Sequence, residues 1–223
     1  LSALTRLATA VVADAVAAGM AVVGVTGSSG KTSTKDLLAQ VLAEHGPTIA
    51  PVGSFNNELG HPLTAAGVDR GTRFLVSEMG ARGPGHVAHL CGVPPPTVGI
   101  VLNVGTAHLG EFGSVDAIAQ SKAELVEALD TDGWAVLNAD DPRVEAMASV
   151  TPARIARWST REDPGNAELR IWASDLTADE LQRYSFTLHA AGVSEGSARV
   201  SMRQLGKHHV ANALAASAAG LAL

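Results

Sequence analysis

The sequence predicts an α/β fold: a mostly parallel sheet flanked by helices around a glycine-rich loop, with a small antiparallel sheet in the C-terminal third. Three observations predict it. Short, continuous apolar runs alternate with amphipathic stretches, the pattern of buried parallel strands joined by crossover helices. A run of small residues ending in lysine separates the first strand from the helix that follows. Beyond residue 150, apolar and polar residues alternate, as they do in half-buried antiparallel strands.

The elements follow in order. Residues 1–20 are rich in Ala and Val but carry Arg6 and Asp14. They form neither a ~20-residue apolar span nor a signal peptide, and they read as an amphipathic helix leading into the first strand. AVVGV (21–25) is that strand. Residues 31–45 place Leu37, Leu38, Val41 and Leu42 on one helical face. FLVSEM (74–79) and VGIVLNVG (98–105) are further buried strands. Residues 114–129 are a helix with Ser114 as N-cap, and WAVLN (134–138) is a strand. LRIWASDL (169–176), YSFTLHA (184–190) and ARVSMR (198–203) are the antiparallel strands. Gly192, Gly196 and the cluster Asp163-Pro164-Gly165-Asn166 supply turns. Residues 206–223 return to helix. The expected organisation is one domain over 1–223, with an antiparallel subdomain over about residues 150–205.

Composition narrows the function. Of 223 residues, 46% are apolar and 17% charged, enough to bury a core. The net charge of −6 and the lack of a basic block argue against nucleic acid as a partner. Cys91 is the sole cysteine, so no internal disulfide forms; it reads as a small core residue in a reducing, cytoplasmic protein. A monomer that does not enter the membrane is expected.

Gly27-Ser28-Ser29-Gly30-Lys31-Thr32-Ser33 follows a strand and opens a helix, the context a phosphate loop requires. Glycines let backbone N–H groups turn toward phosphate oxygens, and the helix start adds unpaired donors. Lys31 reaches the outer phosphates, and the Thr32 hydroxyl ligates Mg²⁺. One departure is Val25, where the longer form of this loop has glycine.

Other residues narrow the chemistry. Glu78 ends a strand, at the edge of the sheet where α/β proteins hold ligands, and is placed to bind Mg²⁺. His108 lies just past the next strand, as a second metal ligand or a substrate contact. Lys122 falls on the apolar stripe made by Ile118, Leu125, Val126 and Leu129. From the pattern alone it reads as a lysine whose stem covers the core. A buried ammonium also loses its proton readily, and a neutral amine can capture CO₂ as a carbamate able to hold Mg²⁺.

Together these residues resemble the Mur ligases, the ATP-dependent amide-bond formers of peptidoglycan synthesis. The matching segments are TGSSGKTSTKD (26–36), GSFNNELGHPLT (53–64), SEMGA (77–81), NVGTAHLGEFGS (103–114), IAQSKAEL (118–125), LNADDP (137–142) and GKHHVANALAA (206–216). The second and fourth look most like the branch that adds D-alanyl-D-alanine to UDP-N-acetylmuramoyl-tripeptide. The resemblance implies ATP, two Mg²⁺ sites and a carbamylated Lys122. It implies catalytic roles for Lys31, Lys122 and His108, and metal ligation by Thr32, Glu78, His108 and the Lys122 carbamate. Asn56 and Asn57 fall beside the γ-phosphate and the UDP-sugar substrate. Asn138, Asp140 and Asp141 fall on the nucleotide side, and Asn212 matches an adenine contact. His209 stands where the family often has asparagine. The matched segments are all central-domain ones, so a UDP-binding domain and a closing domain are expected to be absent from this chain. The isolated chain is expected to bind nucleotide weakly or not at all and not to ligate. Three other readings stay open: a relative with a different amino-acid substrate, such as the diaminopimelate- or lysine-adding branch or a folylpolyglutamate synthase; a P-loop phosphotransferase or ATPase; and a non-catalytic nucleotide-binding module.

Overall fold

A computed structural model describes residues 2–54, 56, 57, 59–107 and 109–223. Helix α1 (Ser2–Ala17) leads into β1 (Ala21–Thr26), and α2 (Lys31–Ala43) follows the glycine loop. Then come β2 (Thr48–Ile49), α3 (Gly60–Ala65), β3 (Phe74–Glu78), α4 (His86–Cys91) and β4 (Val98–Val101). Two helices, α5 (Leu109–Phe112) and α6 (Val115–Glu127), lead to β5 (Trp134–Asn138). The chain ends with α7 (Pro142–Glu145), β6 (Arg154–Ser159), β7 (Leu169–Ala178), β8 (Arg183–Gly192), β9 (Gly196–Leu205) and α8 (His208–Ala222). No helix among the described residues is long and apolar enough to cross a membrane.

The strands form one nine-stranded sheet in the order β2-β3-β1-β4-β5-β6-β7-β8-β9. Every pairing from β2 to β7 is parallel. The pairs β7–β8 and β8–β9 are antiparallel. The predicted antiparallel strands are therefore an extension of the parallel sheet, joined through β6, a strand the sequence pattern did not flag. Arg154 and Arg157 explain why, since an arginine-broken run does not read as a buried strand; the two-residue edge strand β2 went unflagged as well, for its shortness.

Alternate strand residues face opposite layers. Val23, Val25, Val76, Ile100 and Val136 pack with Leu38 and Leu42 of α2 and with Val210 and Leu214 of α8. On the other face Val22 and Leu75 meet Ala8 and Val12 of α1. Val101 and Leu137 meet Ile118 and Val126 of α6. A Cβ on Gly24 would lie 2.7 Å from Leu125 Cδ1, and one on Gly99 would lie 3.1 Å from Leu125 Cγ. Bare backbone in β1 and β4 thus lets α6 seat directly on the sheet, which fixes where Lys122 can reach.

Two expectations need correction. Val41 is 45% exposed; the inward positions of α2 are Thr34, Lys35, Leu38 and Leu42. The strand expected over 98–105 ends at Val101, because residues 102–105 turn aside to brace the glycine loop. The helix over 114–129 spans Val115–Glu127, and Ser114 Oγ accepts from Ala117 N at 3.1 Å as its N-cap.

Candidate active site

The glycine loop lies at the carboxyl end of β1, the middle strand of the group β3-β1-β4. Gly27 and Gly30 have φ of +155° and +84°. A Cβ on Gly30 would also lie 2.6 Å from Asn212 Oδ1, so only glycine suits that turn. Lys31 Nζ donates to Gly27 O at 2.8 Å, folding the side chain back over the loop. Burial lowers the Lys31 pKa, while the Glu78 carboxylate pulls it the other way.

Neighbouring strand ends brace the loop. Ser28 N donates to Asn103 O at 3.1 Å, and Ser29 N donates to Asn103 Oδ1 at 3.0 Å. Gly105 N donates to Ser28 Oγ at 2.9 Å. Asn103 was only part of a matched segment in the sequence; its role shows once β4 lies beside β1.

Parallel register brings Glu78 into place. Val25 pairs with Glu78, so the carboxylate emerges beside the loop. Glu78 is 1% exposed. Its Oε2 accepts from Thr32 Oγ1 at 2.9 Å and its Oε1 from Asn56 Nδ2 at 2.7 Å. A hydroxyl and a carboxylate converging there form a hard oxygen donor set of the kind Mg²⁺ takes.

A cavity of about 190 Å³ opens next to this cluster. Gly27, Ser28, Lys31, Asn56, Asn57 and Lys122 all line it. Lys122 is 6% exposed, and burial together with the nearby Lys31 charge lowers its pKa to about 8. The structure therefore gathers Lys31, Thr32, Asn56, Asn57, Glu78 and Lys122 in one place, with Ser33 in the first turn of α2. His108 lies outside the described residues; Ala107 beside it lines the cavity. Arg82 and His86, which the sequence did not single out, also line it.

On the far side of the loop, Asn212 is 6% exposed, and its buried Nδ2 has no hydrogen-bond partner among the described residues. His209 Nδ1 is unpartnered in the same sense, and the His208 and His209 rings lie 4.2 Å apart. An unsatisfied buried donor beside a phosphate loop fits an acceptor on a bound base. Asn138 and Asp141 have local partners. Asn138 Nδ2 donates to Leu102 O at 2.8 Å. Asp141 Oδ2 accepts from Val104 N at 2.8 Å and Oδ1 from Arg143 N at 3.0 Å, capping α7. Asp140 accepts from Ser159 Oγ at 2.7 Å and Thr160 N at 2.8 Å. These three tie the ends of β4, β5 and β6 together.

A doubly wound sheet with a braced phosphate loop, an acid at the adjoining strand end and a buried lysine over the cavity defines a nucleotide-handling α/β domain. The Mur ligase middle-domain family model matches residues 25–220, and the chain belongs to the Mur ligase family. It is 54% identical over 221 residues to the UDP-N-acetylmuramoyl-tripeptide--D-alanyl-D-alanine ligase of Mycobacterium tuberculosis, spanning 99% of this chain and 42% of that protein. It superposes on crystal structure I of MurF from Acinetobacter baumannii with a TM-score of 0.87 and 31% identity, covering 99% of this chain and 46% of that one. It likewise superposes on the Thermotoga maritima MurF ligase in complex with ADP, at a TM-score of 0.76 and 30% identity over 98% of this chain and 48% of that one. The chain thus spans less than half the length of these relatives.

Proposed function

We propose that this chain is the nucleotide-handling part of an ATP-dependent ligase of peptidoglycan precursor synthesis. The full-length protein adds D-alanyl-D-alanine to UDP-N-acetylmuramoyl-tripeptide. The observation that carries the reading is the Glu78 carboxylate held between Thr32 and Asn56, beside the cavity that Lys31 and Lys122 share.

In this reading the loop amides and Lys31 cradle the triphosphate, and Thr32 and Glu78 would hold Mg²⁺. When bound, Mg²⁺ neutralises charge on the transferring phosphoryl group. A carboxylate oxygen of the muramoyl peptide forms a bond to the γ-phosphorus. The bond to the bridging oxygen breaks, ADP leaves and an acyl phosphate remains. The amine of D-alanyl-D-alanine then attacks the acyl carbon, inorganic phosphate departs with the C–O electron pair, and the nitrogen loses a proton. Asn56 and Asn57 orient the muramoyl substrate, and Asn212 offers its unpartnered N–H to adenine.

Lys122 sits in the environment that carbamate formation needs. With a pKa of about 8, its neutral fraction at pH 7 exceeds that of an ordinary lysine by a factor on the order of 10². The neutral nitrogen bonds to the carbon of CO₂ and sheds one proton, leaving an anion suited to a second Mg²⁺. His108 would complete that site. We place the protein in the cytoplasm as a monomer, with the remaining length of the ligase binding the UDP end and closing over the acyl phosphate.

The test is ligation by the full-length protein with ATP, Mg²⁺, UDP-N-acetylmuramoyl-tripeptide and a panel of amines, read by product mass and phosphate release. D-Alanyl-D-alanine is expected to be joined, and the isolated 223-residue chain is expected to join nothing. Phosphate release without amide formation, or preference for a single amino acid over the dipeptide, would refute the assignment.

A further inference from the structure

Lys35 lies one turn beyond Lys31 in α2, and its side chain is 0% exposed. An ammonium has three protons to donate, and three oxygens meet this one. Nζ lies 2.6 Å from Pro51 O, 2.8 Å from Gly53 O and 2.9 Å from Asp36 Oδ1. Two of these belong to the segment that leads from β2 to Asn56. Pro51 is buried, but Val52 is 85% exposed and Gly53 and Ser54 are exposed too, so beyond Pro51 the described residues up to Asn56 have little apolar contact to hold them.

The segment then docks against the strand end that carries Glu78. Gly80 N donates to Asn56 O at 3.1 Å, and Asn56 Nδ2 reaches Glu78 Oε1. A Cβ on Gly80 would lie 3.0 Å from Asn56 Cγ, so the asparagine rests on bare backbone. A circuit results: α2 reaches residues 51–53 through Lys35, those lead to Asn56, Asn56 holds Glu78, and Thr32 of α2 holds the other carboxylate oxygen.

We propose that Lys35 is the positioning residue for the asparagine segment. Its ammonium fixes the carbonyls of Pro51 and Gly53, which sets Asn56 and Asn57 at the cavity and steadies Glu78 through Asn56. This rests on the ligase reading above, in which that segment meets the muramoyl substrate. The glycine loop is braced separately by Asn103 and Gly105, so the triphosphate cradle itself does not depend on Lys35, and the nucleotide site feels its loss only indirectly, through Asn56 and Glu78.

The test uses the full-length ligase. Lys35→Met is expected to raise KM for UDP-N-acetylmuramoyl-tripeptide at least tenfold and KM for ATP less than threefold. Amide exchange at residues 52–54, 56 and 57 is expected to quicken at least tenfold, with β1 unchanged. In an Asn56→Ala background the same substitution should shift KM less than twofold. Equal rises in both KM values, or fully additive effects in the double variant, would overturn the proposal. Should Lys35→Met not fold, Lys35→Gln carries the same measurements, and an unchanged muramoyl KM there overturns it as well. A wild-type protein that joins no D-alanyl-D-alanine rejects the ligase reading instead. In that case hydrogen exchange alone still decides the role of Lys35.

Discussion

Lys122 makes a prediction that stability measurements can check without any substrate. Its folded pKa is about 8 against an ordinary 10.5, mainly because the ammonium is buried and secondly because Lys31 is close. Below pH 8 both folded and unfolded chains hold the proton, and the fold bears the full cost of burying it. Between pH 8 and 10.5 the folded state sheds the proton first. The unfolded state then binds more protons, so stability rises with pH. The gap corresponds to ~3 kcal/mol. Methionine matches the unbranched shape of the lysine stem and cannot be charged. Lys122→Met is therefore expected to be more stable than wild type at pH 7 by up to ~3 kcal/mol, a Tm increase of roughly 6–12 °C for a domain of this size. The advantage should fade as the pH approaches 10.5. The assay is urea and thermal unfolding of both proteins from pH 7 to 10.5 in bicarbonate-free buffer, because captured CO₂ would change the charge under study. A difference that stays constant across this range, or a variant less stable at pH 7, would refute the reasoning.

Two further predictions concern buried polar groups. Asn212→Leu removes a buried amide nitrogen that lacks a partner among the described residues. It should leave the nucleotide-free protein as stable as wild type or more so, by up to ~1–3 kcal/mol. Calorimetric titration of the full-length protein with Mg·ADP should show affinity at least tenfold weaker; an unchanged affinity would separate Asn212 from the base. His61 is 1% exposed, its Nε2 lies 3.2 Å from Leu90 O, and burial lowers its pKa to about 4 from 6.5. The stability that comes from keeping it neutral is present in full above pH 6.5 and is lost as the pH falls toward 4. Its ring proton shifts in NMR should stay flat from pH 7.5 to 5, and a midpoint near 6.5 would contradict the buried placement.

The strands that carry the site were legible because they are short, continuous and apolar, and the loop was legible because its glycines and lysine stand in a fixed order. Ser114 announced the start of α6 by its hydroxyl; Lys122 stood out on an apolar stripe, but the stripe alone read as a stem covering the core, and only the family resemblance implied more. What the sequence hid was set by neighbours far along the chain. Asn103 looks like any residue at a strand end until Ser28 and Ser29 turn out to lean on it. Asn138, Asp140 and Asp141 were expected on the nucleotide side; that backbone amides, a backbone carbonyl and hydroxyls of adjoining strand ends also meet them shows only in the fold. Val41 was misplaced on α2, and Lys35 was not singled out, because a periodicity count ranks residues by polarity. Two carbonyls at one end of the helix make the lysine the inward residue, and the valine is left at the rim.

Lys35 and Lys122 show why burial alone does not mark a functional lysine. Both are nearly inaccessible, at 0% and 6%. Lys35 has an oxygen for each of its protons, so its charge is matched where it sits and its consequence is mechanical. Around Lys122, among the described residues, no oxygen is hydrogen-bonded to Nζ, the charge that acts on it is the like-signed Lys31, and the open side is the cavity. An unmatched ammonium there costs stability, and evolution could remove the cost with one substitution to methionine. A side chain kept in an environment that penalises its common form is explained when its other forms are the useful ones. Under the proposed function those would be the neutral amine and the anion it would make with CO₂, which would turn a repulsion toward Lys31 into an attraction and give a metal beside Glu78 a further oxygen ligand.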